Sequence, residues 1–222
     1  MPLRLLKFGL QKEYTEPRMF HSPEHLRDQY DVVIIGGGGH GLAAAHYLAN
    51  EHGITDVAVL EQRYIGHGGT GRNTSIIRSN YLTEEGAKFY QFSVDLYRDL
   101  SRQLDFNLFY SQRGHFTLAH SPASLRTQRW RAEVNKHLGI DSEVVGPDFI
   151  QKTIPQIDLT CGGHQPPIFG ALYHPPGAIA RHDAVAWAYA RGADSKGVEI
   201  HQRTAVTGIE VADGAVMGVH TD

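Results

Sequence analysis

The chain has 222 residues, 41% hydrophobic and 20% charged, with a formal net charge of −3, values of an ordinary globular protein long enough for a real core. That balance, without a Lys/Arg run or an aromatic–basic stripe, excludes a nucleic-acid footprint. The single cysteine, Cys161, excludes an intrachain disulfide and a cysteine metal cage, and no apolar run approaches the ~20 residues needed to cross a bilayer. The opening MPLRLLKFGL lacks a secretory apolar core and is soon followed by Glu13 and Glu16, which reads as cytoplasmic. Fourteen histidines are scattered without an H-E-x-x-H spacing, so no metal site is expected. His21, His120, His137 and His201 sit beside turn-like or polar residues and read as solvated.

Residues 1–29 form a polar lead with Pro17 and Pro23, suited to an arm over the body or a subunit contact. Val32–Ile35 is a short apolar run, predicted to be a strand buried on both faces. It leads into Gly36-Gly37-Gly38-Gly39-His40-Gly41, which satisfies G-x-G-x-x-G. In that pattern Gly36 allows a tight turn, Gly38 lets the backbone approach a pyrophosphate, and Gly41 permits close helix–strand packing. A helix is predicted over Leu42–Asn50, with Ala45 against the strand and Gly53 ending it; its N-terminal N–H groups would face phosphates. Val57–Leu60 is a second buried strand. Glu61 at its tip, twenty positions after Gly41, stands where a carboxylate can accept ribose hydroxyls. Strand, glycines, helix, strand and acid in this order indicate an adenine dinucleotide. The next loop, Gly66–Arg78, reads either as a surface loop or as a second Gly/Thr/Ser-rich cradle of N–H groups and hydroxyls, with two guanidiniums, folding over a pyrophosphate and ribityl chain.

Thr83-Glu84-Glu85 resembles an N-cap with first-turn acids, and Phe89, Phe92, Leu96 and Leu100 follow at helical spacing, predicting a core stripe. Strands are expected around Phe109–Ser111 and Gly114–Leu118. Ser121-Pro122 starts another helix as cap and first-turn proline, with Trp130, Val134 and Leu138 as its buried stripe and Gly139 at its end. Residues 140–180, rich in Pro and Gly, link strands by long turns, and Cys161 reads as a structural thiol. A helix opens near Arg181 and closes near Gly197. Short strands follow at Val198–Ile200, Ala205–Val211 and Val216–Val219, the last two joined through Asp213-Gly214.

The stretches YDVVIIGGGGHGLAAAHYLA, HGITDVAVLE, TGRNTSIIRSNYL, FNLFYSQRGHFTLAHS and RHDAVAWAYAR resemble the β subunits of heterotetrameric sarcosine oxidases, in the D-amino-acid-oxidase-like family of FAD enzymes. The resemblance covers the chain from about Tyr30 onward. It implies an α/β fold: a Rossmann-like FAD-binding domain interleaved with a β-rich substrate-domain segment, truncated at its C-terminus. The segments would be an arm over 1–29, the first part of the FAD domain over 30–108, a substrate or interface segment over 109–180, and a return to the FAD domain over 181–222. Noncovalent FAD would be held by Gly36, Gly38, Gly39, His40, Gly41, Glu61, Gly69, Thr70, Arg72, Thr74, Ser75, Ile76 and Val206. Gly69 departs from the pattern, which places an Asn there.

The resemblance further implies oxidative demethylation of sarcosine by hydride transfer to FAD, then electron transfer to an FMN at a subunit interface, where oxygen is reduced. His182 matches the histidine that carries this FMN covalently, with Arg181 beside it. By itself a histidine at a helix start reads as structural or solvated, and Asp183 reads as a helix cap. The implied partners are α, γ and δ subunits, a small amino-acid substrate, and tetrahydrofolate through the α subunit. No catalytic base is identified. A dehydrogenase subunit for another N-methyl or cyclic amino acid, and a truncated non-catalytic flavin-binding or assembly subunit, are the alternatives. Substrate contacts do not show in the sequence.

Overall fold

A computed structural model describes Leu10 and residues 19–222; most of the expected N-terminal arm lies outside the described residues. Along the chain run β1 (Val32–Ile35), α1 (Gly39–His52), β2 (Val57–Glu61), β3 (Ile76–Ile77), α2 (Glu84–Gln103), β4 (Ser111–Gln112) and β5 (His115–Ala119). Next come α3 (Pro122–His137), β6 (Glu143–Val145), α4 (Pro147–Thr153), β7 (Gly170–His174) and β8 (Ala178–Ile179). The chain continues through α5 (His182–Asp194), β9 (Glu199–Gln202), β10 (Val206–Ala212) and β11 (Ala215–Thr221). It divides into two compact units, residues 1–65 with 189–222, and residues 66–188. The segments suggested by the sequence break instead at 108/109 and 180/181, both inside the second unit.

The first unit is built on a parallel sheet of order β1-β2-β9, with Val32 opposite Val57 and Ala58 opposite Glu199. Parallel neighbours need a crossover, and α1 supplies the one between β1 and β2. Every residue of β2, the central strand, is buried. β1 departs from expectation. Its residues alternate, with Val33 36% and Ile35 53% exposed, because β1 stands at the sheet edge and only the Ile34 side meets α1. Helix α1 buries Leu42, Ala45 and Ala49 and ends on Gly53 in the left-handed conformation, as its sequence predicts. Asp213 and Gly214, both at positive φ, turn β10 into β11.

Part of the described lead is strapped to this unit. Ser22 Oγ donates to the Ile200 carbonyl, Tyr30 Oη donates to Glu199 Oε2 at 2.6 Å, and Arg27 Nε donates to Glu199 Oε1 at 2.9 Å. His201, expected to be solvated, is 3% exposed and lies 3.0 Å from Glu199 Oε2, since β9 turns it inward. Burial acts to raise the Glu199 carboxyl, but Tyr30, His201 and Arg27 hold it below the usual range.

The second unit holds two small antiparallel sheets, of order β3-β8-β4 and β5-β7-β6. Thr83 and Ser121 cap α2 and α3 by accepting the N–H groups of Gly86 and Ser124, as the sequence indicates. The apolar stripes differ. Phe89 and Phe92 are 66% and 70% exposed, and Trp130 is 59% exposed. The inner face of α2 is made by Ala87, Val94 and Leu100, so the stripe from Phe89 reaches the core only at Leu100. In α3 the buried positions are Gln128, Ala132 and Asn135, and the polar ones are there because β-strand carbonyls and hydroxyls meet them: Gln128 donates to the Leu118 carbonyl and Asn135 to Ser142 Oγ. Cys161 packs against the cluster of Val145, Ile150, Ile168 and Ala171.

His174 is fully buried. Its Nδ1 lies 2.6 Å from the Asp141 carbonyl and its Nε2 3.3 Å from Ser79 N, a pattern that fits the neutral ring with the proton on Nδ1. Burial, then the charges of Arg78, His174 and Arg131, push His115 down to about 4, and burial lowers His174 as well.

Two outcomes are expected. A Cβ on Gly41 would lie 2.1 Å from the Gly36 carbonyl oxygen, so Gly41→Ala should cost about 1–3 kcal/mol, read as a lower urea midpoint. An unchanged midpoint would show that α1 can move away from the turn. Second, the unfolded chain takes up protons on His115 and His174 near pH ~6.5 while the folded chain resists until lower pH. Stability from this source is therefore complete above that value and lost as pH falls toward the folded values. The urea midpoint should drop between pH 7 and pH 5, less so in His115→Gln. A midpoint constant across that window would contradict neutral histidines in the folded unit.

Candidate functional site

The glycine turn belongs wholly to the first unit. Gly36 sits at φ +106°, which an L side chain adopts only with strain, and its N–H continues the ladder to the Leu60 carbonyl at 2.8 Å. Gly38 is the N-cap of α1 and offers no side chain, and the first turn carries no acid, so nothing charged competes with an anion at this helix end. Glu61, 8% exposed, closes the arrangement from β2. Its Oε2 accepts the Gly37 N–H and its Oε1 accepts the Arg63 N–H, each at 2.9 Å. A Cβ on Gly37 would come within 3.0 Å of Glu61 Cβ. Each carboxylate oxygen keeps a further lone-pair direction, so the group that fixes the turn still has acceptor capacity for hydroxyls. His40 is exposed, and Val206 opens β10 opposite Thr221.

The Gly66–Ile77 loop, in the second unit, is ordered by its own polar groups. Thr70–Arg72 forms a single 3-10 turn, Asn73 Nδ2 donates to the Thr70 carbonyl at 2.7 Å, and Asn73 Oδ1 accepts the Ser75 N–H at 2.6 Å. Ser75 takes φ +60°, and its carbonyl accepts the Ala180 N–H, which leads into the pairing of Ile76 with Ile179. Thr74 is exposed. Arg72 Nη2 lies 3.4 Å from His67 Nε2. Around Gly69 a Cβ would meet nothing within 4 Å, so the missing Asn is a lost side chain and not a steric requirement.

At the start of α5, Arg181 is committed to its neighbour. Its Nε donates to Asp183 Oδ1 at 3.0 Å, its Nη2 contacts Asp183 Oδ2, and the guanidinium lies 5.4 Å from the Phe109 ring centroid. Asp183 also accepts the Ala184 N–H, which supports its reading as a helix-start residue. Burial works to raise the Asp183 carboxyl, and the Arg181 hydrogen bond outweighs it to hold the carboxyl low. His182 is half-buried, and its Nδ1 is a buried atom that makes no hydrogen bond among the described residues.

One constellation in the second unit escapes sequence reasoning. Asn80 is fully buried between two arginines: Arg78 Nη1 donates to its Oδ1 at 2.9 Å, and Arg131 Nη2 donates to its carbonyl at 3.2 Å. Arg131 comes from α3, fifty-one positions away, and only its place in the apolar-spaced helix hints at burial. Among the described residues, no group of three or more His, Cys, Asp and Glu could hold a metal ion, and no helix is long and apolar enough to cross a membrane.

The chain is 48% identical to the sarcosine oxidase subunit beta of Rhizobium meliloti (strain 1021), over 99% of its own length and 52% of that protein's. It is 46% identical to the sarcosine oxidase subunit beta of Arthrobacter sp, over 92% of this chain and 50% of the other. It thus spans about half the length of the curated relatives it matches. Among solved structures, L-proline dehydrogenase from P. horikoshii superposes with a TM-score of 0.79 at 26% identity, covering 89% of this chain and 50% of that one. Residues 31–222, from the first strand of the cradle onward, match the family described as FAD dependent oxidoreductase. With the glycine turn, the capless helix end and the buried acid in place within that match, the chain belongs to the FAD-dependent oxidoreductase family.

Proposed function

We propose that this chain is part of a β subunit of the sarcosine-oxidase type, a flavin-dependent amine oxidoreductase acting within a cytoplasmic multi-subunit enzyme. The observation that carries the reading is 48% identity sustained over 99% of the chain, with the cradle residues inside it. FAD fits the first unit: the turn leaves no space at Gly37 and Gly41 for anything but backbone, and Glu61 has free acceptor directions. In this reading Gly36, Gly38, Gly39, His40 and Gly41 present N–H groups to the pyrophosphate, Glu61 takes ribose hydroxyls, and Val206 offers backbone to the adenine. The loop residues Gly69, Thr70, Arg72, Thr74, Ser75 and Ile76 belong to the same cofactor's binding set. When bound, the flavin supplies the two-electron oxidation of the amine carbon; the protein's part is to hold and orient it and to keep water out.

His182 is proposed as the covalent attachment point of FMN. Its Nδ1, buried and unpartnered, is a nitrogen that the fold leaves without other work, and a neutral imidazole is nucleophilic. Arg181, already paired with Asp183, would contribute charge at the FMN site without being held free for it. The α, γ and δ partners, and tetrahydrofolate through the α subunit, follow from the same reading. The fold likeness to L-proline dehydrogenase favours a second reading, a dehydrogenase for a cyclic amino acid. Turnover of sarcosine against proline by the assembled enzyme separates them.

Glu61→Ala should weaken FAD binding by on the order of 1.5–3 kcal/mol, since it removes an acceptor of hydroxyl groups and loosens the Gly37 turn. Titration of the apoprotein with FAD measures this, and equal affinity in the variant would take Glu61 out of the site. In the co-expressed complex, peptide mass spectrometry should find an FMN-sized adduct on the tryptic fragment containing His182, absent in His182→Asn. An adduct on His174, or one that persists in the variant, would refute the assignment.

A further inference from the structure

The small sheet β3-β8-β4 of the second unit turns one apolar face outward, and its strand β8 leads towards His182. Ile76 lies opposite Ile179, and Ile179 opposite Ser111, so these three side chains share one side of the sheet. Ala178, one position back along β8, is buried on the other side, while Ile76 and Ile179 are half-exposed. Past the strand the alternation continues, with Ala180 buried and Arg181 exposed. The Ala180 N–H donates to the Ser75 carbonyl and the Arg181 N–H to the Leu108 carbonyl. Those two bonds hold the neighbourhoods of Ile76 and Phe109 against the residues that run directly into His182.

Phe109 is the unusual member of this face. It takes φ +53°, a left-handed backbone that an aromatic side chain adopts at a cost, and Asn107 Oδ1 fixes it there by accepting the Phe109 N–H at 2.9 Å. Leu108 before it is fully buried, so the interior at this turn is filled without Phe109. The Phe109 ring stays 54% exposed, with the Arg181 guanidinium 5.4 Å from its centroid. The strained turn thus gains little burial within its own unit, and strain of this kind concentrates where a side chain is held for a ligand.

We propose that Phe109, with Ile179 and Ile76, is the apolar platform that positions the FMN ring at His182. The inference rests on the reading of His182 as the attachment point and adds to it the residues that support the ring. A flavin joined through the methyl carbon of its dimethylbenzene ring carries that half next to the imidazole, and that half is flat and apolar. An exposed aromatic ring and two branched aliphatic side chains on the sheet face beside His182 match it in shape and polarity. Arg181 is already paired with Asp183, so the platform selects by apolar contact and not by a free charge.

The co-expressed complex carrying His182→Asn, purified with its FAD, tests this, because it cannot form the covalent bond but keeps the platform. Equilibrium dialysis against FMN gives its Kd. Adding Phe109→Ala should raise that Kd about tenfold, and Phe109→Tyr in its place should hold it within about twofold of the parent. Ile179→Ala should raise it about fivefold. FAD content, and the mass of the complex by light scattering, should stay as in the parent. If Phe109→Ala does not assemble, the Ile179→Ala titration decides. No saturable FMN binding by the parent, or the parent's Kd in both alanine variants, would overturn the proposal. So would loss of assembly in both, since a partner subunit would then be what covers this face. Peptide mass spectrometry of the complex with His182 intact keeps the two readings apart. An adduct there with unchanged Kd values removes the platform alone, and its absence removes the attachment on which the platform rests.

Discussion

The first unit depends on one buried carboxylate. Glu61 stands at the tip of β2 and accepts one N–H from the glycine turn after β1 and one from its own strand's exit. The Gly37 bond ties the end of the first strand to the end of the second, and the Arg63 bond fixes the carboxylate that makes it. A carboxylate accepting backbone N–H groups makes charge-assisted bonds, roughly twice as strong as neutral ones. Gly36 must then be bare because of its φ of +106°, and Gly41 because a Cβ there would lie 2.1 Å from the Gly36 carbonyl oxygen. Packing of α1 on the sheet through Leu42, Ala45 and Ala49 holds the arrangement from behind. A dinucleotide's adenosine half needs hydroxyl acceptors and pyrophosphate donors, and in the proposed reading both come from groups that already hold the fold together.

The second unit is organised differently. Its short strands are joined by turns whose polar side chains, Asn73 and Asp158 among them, satisfy backbone N–H groups locally. Its interior is polar where α3 meets the β6 and β7 region, with Ser79, His174, Ser142 and Asn135 bonded in series and Gln128 donating separately to the Leu118 carbonyl. Such networks are costly when one member is missing, which makes their unsatisfied members informative. His182 Nδ1 and the Asn80 group are two separate places where the second unit leaves buried polar atoms without protein partners.

What could be read from the sequence follows a physical rule. The cradle was legible because each of its positions carries a local requirement: positive φ at Gly36, no Cβ at Gly41, an acid one strand later. The caps at Thr83 and Ser121 and the Asp213-Gly214 turn were legible for the same reason, since a side chain and a backbone group a few residues away decide them. Burial was not. Phe89, Phe92 and Trp130 have the spacing of a core stripe, but which face of a helix turns inward is set by neighbours far away in sequence, and small residues at Ala87 and Ala132 took the inner places. His201 and Asn80 were missed because the inward turn of His201 on β9 and the approach of Arg131 from a distant helix are decided by the fold.

The claim at the centre of this account is that the first unit reads the ADP half of the cofactor through its glycine turn and Glu61. Competition binding tests it most directly: fluorescence of FAD titrated with the chain, then displaced with ADP or with FMN. The account predicts that ADP displaces FAD and that FMN, which lacks the adenosine, does so far less well. FAD that resists ADP but yields to FMN would contradict it, because recognition would then lie on the flavin side and the cradle would be a structural turn alone.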